Sequence, residues 1–284
     1  MPAPIPVAVR KLASELQHPV ALIGCRASET SLDCCEYDLA VFAPGDNKVV
    51  QADGRTVELV HFAGPAKNCI VDLGGMAVLK DTNRFVLSSA VQSIRLEKYR
   101  KALAAAGKKS LISSLFCQRR MAEAKHPVVA AMWLKIAAYE YVGGILALSG
   151  SRPMPLHELG QVRQADAGSM AEGVEVALEC IGIERATRPA ISRSIEAIRE
   201  LKSKDYDRDL FVSKVDHLLG RSMLADCYYY AGRVAARNLA VRKEPFYSRY
   251  AKLVQLALDL SSDVQHLEKL QKKLFRAAKS GLKG

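Results

Sequence analysis

Glu36 and Asp38 stand two residues apart in Cys35-Glu36-Tyr37-Asp38-Leu39-Ala40-Val41-Phe42, a run otherwise apolar enough to form a strand. Side chains alternate across a strand, so both carboxylates fall on one face while Tyr37, Leu39 and Val41 turn to the other. Two carboxylates side by side repel each other unless a cation lies between them. Mg²⁺, bound through one or two carboxylates and the phosphates of a substrate, answers that need.

A third acid has a similar setting. Glu58 interrupts the apolar run Val57-Glu58-Leu59-Val60-His61-Phe62. If this run pairs beside Tyr37–Phe42, Glu58 completes a three-carboxylate cluster able to hold Mg²⁺ or Mn²⁺ and to act as base toward an attacking hydroxyl. On an edge hairpin it would face solvent instead. Asp72, in Ile70-Val71-Asp72-Leu73, competes as third carboxylate, although Gly74-Gly75 behind it favours a loop. Gly24 ends the apolar run Val20–Ile23 and would let the backbone approach an anion closely. Arg26 is then the nearest side chain able to neutralise a phosphate.

Short apolar runs separated by turn signals predict the strands that would position these residues: 20–24, 37–42, 48–51, 57–62, 77–79 and 85–87. Ala52-Asp53-Gly54-Arg55 reads as a hairpin turn, and Asp81-Thr82-Asn83 as a turn joining the last pair. Val7, Val9, Leu12, Ala13 and Leu16 keep helical spacing ahead of His18-Pro19. After residue 90 the pattern is helical: 90–106, 109–123, 127–148, 155–164, 168–182, 189–203, 208–241 with a division near Gly220, 246–262 and 263–280. The expected fold is therefore α+β, a small mixed-sheet head at 1–92 followed by an all-helical domain at 93–284.

Leu22-Ile23-Gly24-Cys25-Arg26-Ala27, a spacer, and Glu36-Tyr37-Asp38-Leu39-Ala40-Val41 together resemble the signature of the polymerase-β-type nucleotidyltransferase superfamily. The resemblance covers roughly residues 7–90. It implies that Gly24 and Cys25 take the triphosphate of an NTP such as ATP, that Glu36 and Asp38 bind the catalytic metals, and that Glu58 is the third carboxylate. It also implies transfer of a nucleotide to a hydroxyl on RNA, protein or a small molecule. Three departures stand beside it. Cys25 replaces the usual Ser, Glu36 replaces the commoner Asp, and Ser28-Glu29 replace Arg and Gly. They leave open a protein that keeps the fold and binds nucleotide or nucleic acid without turnover.

Composition narrows the rest. Of 284 residues, 49% are hydrophobic and 25% charged, which excludes a disordered or low-complexity chain. Residues 1–95 carry 9 Lys+Arg and 10 Asp+Glu, whereas the remainder carries 32 and 20, so the helical part is expected to meet a polyanion. Its basic clusters are Lys98, Arg100, Lys101, Lys108 and Lys109; Arg119 and Arg120; and Lys269, Lys272, Lys273, Arg276 and Lys279. Tyr228-Tyr229-Tyr230 with Arg233 and Arg237 could stack a base and clamp phosphate, or simply pack in the core. The apolar stretch Val128–Leu148 holds Lys135 and Glu140, which marks a buried helix rather than a membrane span. The first residues lack a signal-peptide pattern, and seven irregularly spaced cysteines include no Cys-x-x-Cys; a cytoplasmic location with reduced thiols and no structural zinc is expected.

Overall fold

The computed structural model describes residues 4–28, 30–63, 69–82, 96–165, 168–201, 207–261 and 263–283. The chain divides into two compact units, residues 1–103 and 104–284.

In the first unit, helix α1 (Val7–Glu15) precedes strands β1 (Val20–Ile23), β2 (Tyr37–Val41), β3 (Lys48–Ala52), β4 (Arg55–His61) and β5 (Ala77–Lys80). They form one mixed sheet in the order β3-β4-β2-β1-β5. β1 runs antiparallel to β2 and β5, β2 runs parallel to β4, and β3 and β4 form a hairpin. Asp53 and Gly54 both take positive φ, 49° and 70°, in the turn of that hairpin. This is the primed geometry whose twist matches the flanking strands, and it is why an Asp-Gly pair sits there.

The alternation divides the sheet's two faces. Tyr37, Leu39, Val41, Val57, Leu59, Val20 and Leu22 pack with Val9 and Ala13 of α1 in one cluster. Ala21, Ile23, Ala40 and Leu73, with Phe42, Phe62 and Met76, form a second. The expected strand at 85–87 and Asn83 of its preceding turn lie outside the described residues.

The chain then forms α2 (Leu96–Glu123), which crosses from one unit into the next, and α3 (Pro127–Leu148), α4 (Glu158–Gln164), α5 (Ala171–Ile181), α6 (Arg188–Glu200), α7 (Arg208–Gly220), α8 (Leu224–Ala240), α9 (Glu244–Arg249), α10 (Ala251–Leu258) and α11 (Val264–Lys283). α3 is long and apolar enough to cross a membrane, but 83% of its most apolar window is buried inside the protein. It packs against α4, α5, α8, α10 and α11 as the centre of the helical unit.

Two expected boundaries are corrected. The break expected near residue 107 is absent, because Gly107 continues the helix and a Cβ there would meet the Gly144 carbonyl at 2.8 Å. That glycine serves a close crossing of α2 over α3 and does not break the helix. The single helix expected over 246–262 is two, α9 and α10, separated at Tyr250 (φ −116°, ψ 30°). The division expected within 208–241 is present between α7 and α8, where Ser222 takes φ 56°.

Candidate functional site

β1 is followed by Gly24, which has φ 74° and ψ −157°. The backbone conformation favours glycine, and a Cβ at this position would stand 2.0 Å from Asp38 Oδ2 and displace that carboxylate. The chain then makes one short 3₁₀ turn, Cys25–Ala27, closed by Ala27 N–H to the Gly24 carbonyl at 3.2 Å and Ser28 N–H to the Cys25 carbonyl at 3.1 Å. Because Ile23 is the register partner of Asp38, this turn leaves the sheet beside the Asp38 carboxylate.

The parallel pairing of β2 with β4 does the rest. Its register sets Asp38 opposite Glu58, so the two side chains are neighbours on one face of the sheet, with Glu36 two residues earlier on β2's side of the same face. An oxygen from each of Glu36, Asp38 and Glu58 lies within 4.8 Å of the others. Glu36 is buried, whereas Asp38 and Glu58 are half-buried. Three carboxylates are a hard, all-oxygen donor set. They suit Mg²⁺ or Mn²⁺, which bind oxygen at about 2.1 Å and keep open positions for water or phosphate. Asp72, the competing third acid, sits in the turn at 70–75 and is not part of this group. His61 lies on the other face of β4 from Glu58, with Nδ1 3.3 Å from the Ala43 carbonyl.

The two remaining sequence-predicted residues turn toward the protein. Arg26 donates from Nε and Nη2 to the Cys35 carbonyl at 3.1 and 2.7 Å and from Nη2 to the Asp33 carbonyl at 3.0 Å. Its guanidinium also stacks 4.8 Å from the centre of the Tyr37 ring. It braces the segment leading into β2 and thereby sets where Glu36 begins. The Cys25 thiol is held well above the ordinary thiol range by a hydrogen bond with Cys35, by burial, and by the negative charges of Asp38 and Glu36. This favours the neutral thiol over a thiolate nucleophile at that position.

Cys35 is the partner that Cys25 and Arg26 share. The one signal for it was a second cysteine just before the first carboxylate. In the helical unit, Tyr228, Tyr229 and Tyr230 are all buried, so of the two readings open from sequence they take packing in the core and not base stacking. Tyr229 donates to Glu158 Oε2 at 2.9 Å, Tyr228 donates to Asp259 Oδ2 at 2.9 Å, and Arg233 is buried against Glu140 and Glu158.

No protein-family model, curated protein or solved structure matches this chain.

Proposed function

We propose that the protein is a metal-dependent nucleotidyltransferase that moves a nucleotide from an NTP to a hydroxyl acceptor. The observation that carries this reading is the convergence of Glu36, Asp38 and Glu58 oxygens within 4.8 Å, beside Gly24, whose positive φ and closeness to the Asp38 carboxylate favour glycine. The donor set fits Mg²⁺ or Mn²⁺, and Glu36, Asp38 and Glu58 would hold it. When bound, the metal neutralises charge on the phosphates and lowers the pKa of an attached hydroxyl.

The chain's own residues do the positioning. Gly24 and the turn after it bring backbone N–H groups near the place where a triphosphate would lie, as in other glycine-ended strands that cradle phosphate. Cys25 contributes its backbone and a neutral thiol, with no charge to oppose the phosphate. Asp38 and Glu58, side by side and half-buried, are the acids able to accept a proton from an acceptor hydroxyl.

A second reading, a nucleotide-binding protein without turnover, draws on Arg26. Its guanidinium is engaged with the Asp33 and Cys35 carbonyls and the Tyr37 ring rather than extended toward a phosphate.

The test is a transfer assay with each α-labelled NTP, Mg²⁺ or Mn²⁺, and a cell extract separated into RNA, protein and small-molecule fractions. Label enters one fraction with wild type and not with Asp38→Ala. No transfer with NTP binding retained establishes the second reading; loss of both activities overturns the two readings together.

A further inference from the structure

We infer that the outer face of α11 is a docking surface for single-stranded nucleic acid. Lys269, Lys272, Lys273, Arg276, Lys279 and Lys283 recur every three or four residues along this helix, and all six are exposed. They span about 21 Å of helix at 1.5 Å per residue. Leu267, Leu270, Leu274, Ala278 and Gly281 occupy the opposite face and are buried. Glu268 is the one acid within the helix.

The Arg119–Arg120 cluster differs. Arg119 is paired with Glu123 at 2.8 Å, and Arg120 lies 4.6 Å from the centre of the Trp133 ring. On α11 the one ion pair among the described residues is His266 with Glu179, at 3.6 Å, off the stripe. Lys279 alone of the six has an aromatic contact, its ammonium 4.4 Å from the centre of the Phe275 ring. The stripe is therefore a row of solvent-facing cations that releases counterions when a phosphate chain binds.

Two features select the partner. A helix that lies on a membrane inserts its apolar face, and here that face is already buried against the rest of the unit. A lipid surface would meet charge alone. A groove of about 260 Å³ also runs along the stripe, its lining including Tyr141, Met170, Glu172, Val176, Lys273 and Arg276. Tyr141 of α3 and Val176 of α5 give it an apolar wall beside two of the six cations, with Glu172 as its one acid. A shallower hollow of about 370 Å³ on the far side shares the same Lys273 and Arg276. Phosphates along the cations with an unpaired base turned into the groove use both features; a duplex, whose bases are stacked inside, uses only the first.

The experiment is fluorescence anisotropy of labelled 12-mers of oligouridylate and oligothymidylate, with the same lengths carrying abasic sites. It is run on full-length Asp38→Ala protein without NTP or metal, so its outcome is independent of catalysis in the head. Phosphatidylserine vesicles are titrated in parallel. Contact with about five phosphates gives a slope near −3.5 in log K against log salt. The exposed variant Lys269→Glu/Lys273→Glu/Arg276→Glu, its fold checked by circular dichroism, weakens binding at least tenfold and flattens the slope by about 2. A preference for RNA or for DNA names the source within the proposal. Unchanged binding by the triple variant overturns it, and so do vesicle binding as tight as oligomer binding or abasic oligomers that bind as well as intact ones.

Discussion

The two units treat acidic side chains in opposite ways. In the helical unit acids are matched with arginines: Glu140 and Glu158 with Arg233, Asp226 with Arg163, and Asp259 with Arg185. In the head three acids are gathered with one another on a sheet face, within 4.8 Å. Matching an acid to an arginine consumes its charge inside the fold. Gathering acids concentrates charge at one place, where a divalent cation can serve all three. The contrast teaches which carboxylates hold the fold and which are set out for chemistry, and it can be attacked from both sides.

The largest effect is expected from Arg233→Met. Burial opposes the Arg233 charge, yet Glu158 and Glu140 outweigh it and hold the guanidinium protonated. Removing it leaves Glu158 with its side chain fully buried and facing Tyr229 without its counter-charge. A loss of about 3–5 kcal/mol in urea unfolding follows. Asp38→Asn is expected to do the reverse: without metal it leaves stability unchanged or raises it, because it relieves repulsion among acids. Saturating Mg²⁺ should stabilise the wild type, by about 2.7 kcal/mol at a hundred times Kd, and leave Asp38→Asn unmoved. Equal losses from the two substitutions would end the comparison.

Lys135 tests it through pH. Its ammonium is buried within the helical unit, 3.1 Å from the Tyr228 hydroxyl and 2.5 Å from the Leu258 carbonyl. Burial first, then the Arg185 charge, lowers its pKa to about 7, against the partial opposition of Asp259 and Glu184. The unfolded chain therefore holds a proton between pH 7 and about 10.5 that the folded one has released. Stability from this group rises with pH across that window, by up to about 1.4 kcal/mol per pH unit, and is flat below it. Lys135→Met should remove that slope between pH 8 and pH 10 in denaturant unfolding. A slope identical to wild type would show the amine to be charged in the fold, with a matched acid of its own.

Much of this was legible in the chain. Period-two alternation placed Glu36 and Asp38 on one face, and Asp53-Gly54 announced its turn. The partnership of Glu58 with Asp38 depended on β2 and β4 being parallel neighbours, which alternation within either strand does not encode. Gly107 misled because glycine lowers helix propensity, whereas its use here is to let one backbone approach another. Arg26 was read as a phosphate ligand from its nearness to Gly24; its carbonyl partners lie seven and nine residues away and meet it only when the spacer folds back. The tyrosine triplet was ambiguous for a similar reason, since its acidic partners at Glu158 and Asp259 are distant in sequence.

Gly24→Ala acts where the acids gather. An alanine at φ 74° costs about 1–2 kcal/mol in backbone conformation, and its methyl must displace the Asp38 carboxylate from 2.0 Å. The variant should remain folded, with a melting temperature lowered by a few degrees. It should also lose the Mg²⁺-dependent shift that wild type shows. Retention of the full shift would mean that Asp38 is not a ligand.

The smallest effect separates the thiol from the loop that carries it. Cys25→Ser keeps a small donor and acceptor opposite Cys35 and leaves the turn's Ala27 and Ser28 backbone bonds in place. Stability should change by less than about 0.5–1 kcal/mol. The neutral thiol is not a nucleophile here, so an active enzyme should keep its transfer rate within a few-fold or gain from the added hydroxyl donor. Cys25→Asp adds a fourth carboxylate to the cluster, and it should abolish NTP binding and lower the melting temperature, because the new charge is buried among like charges. If serine and aspartate behave alike, charge at the turn is irrelevant, and the gathered acids of the head are not addressed to a phosphate at all.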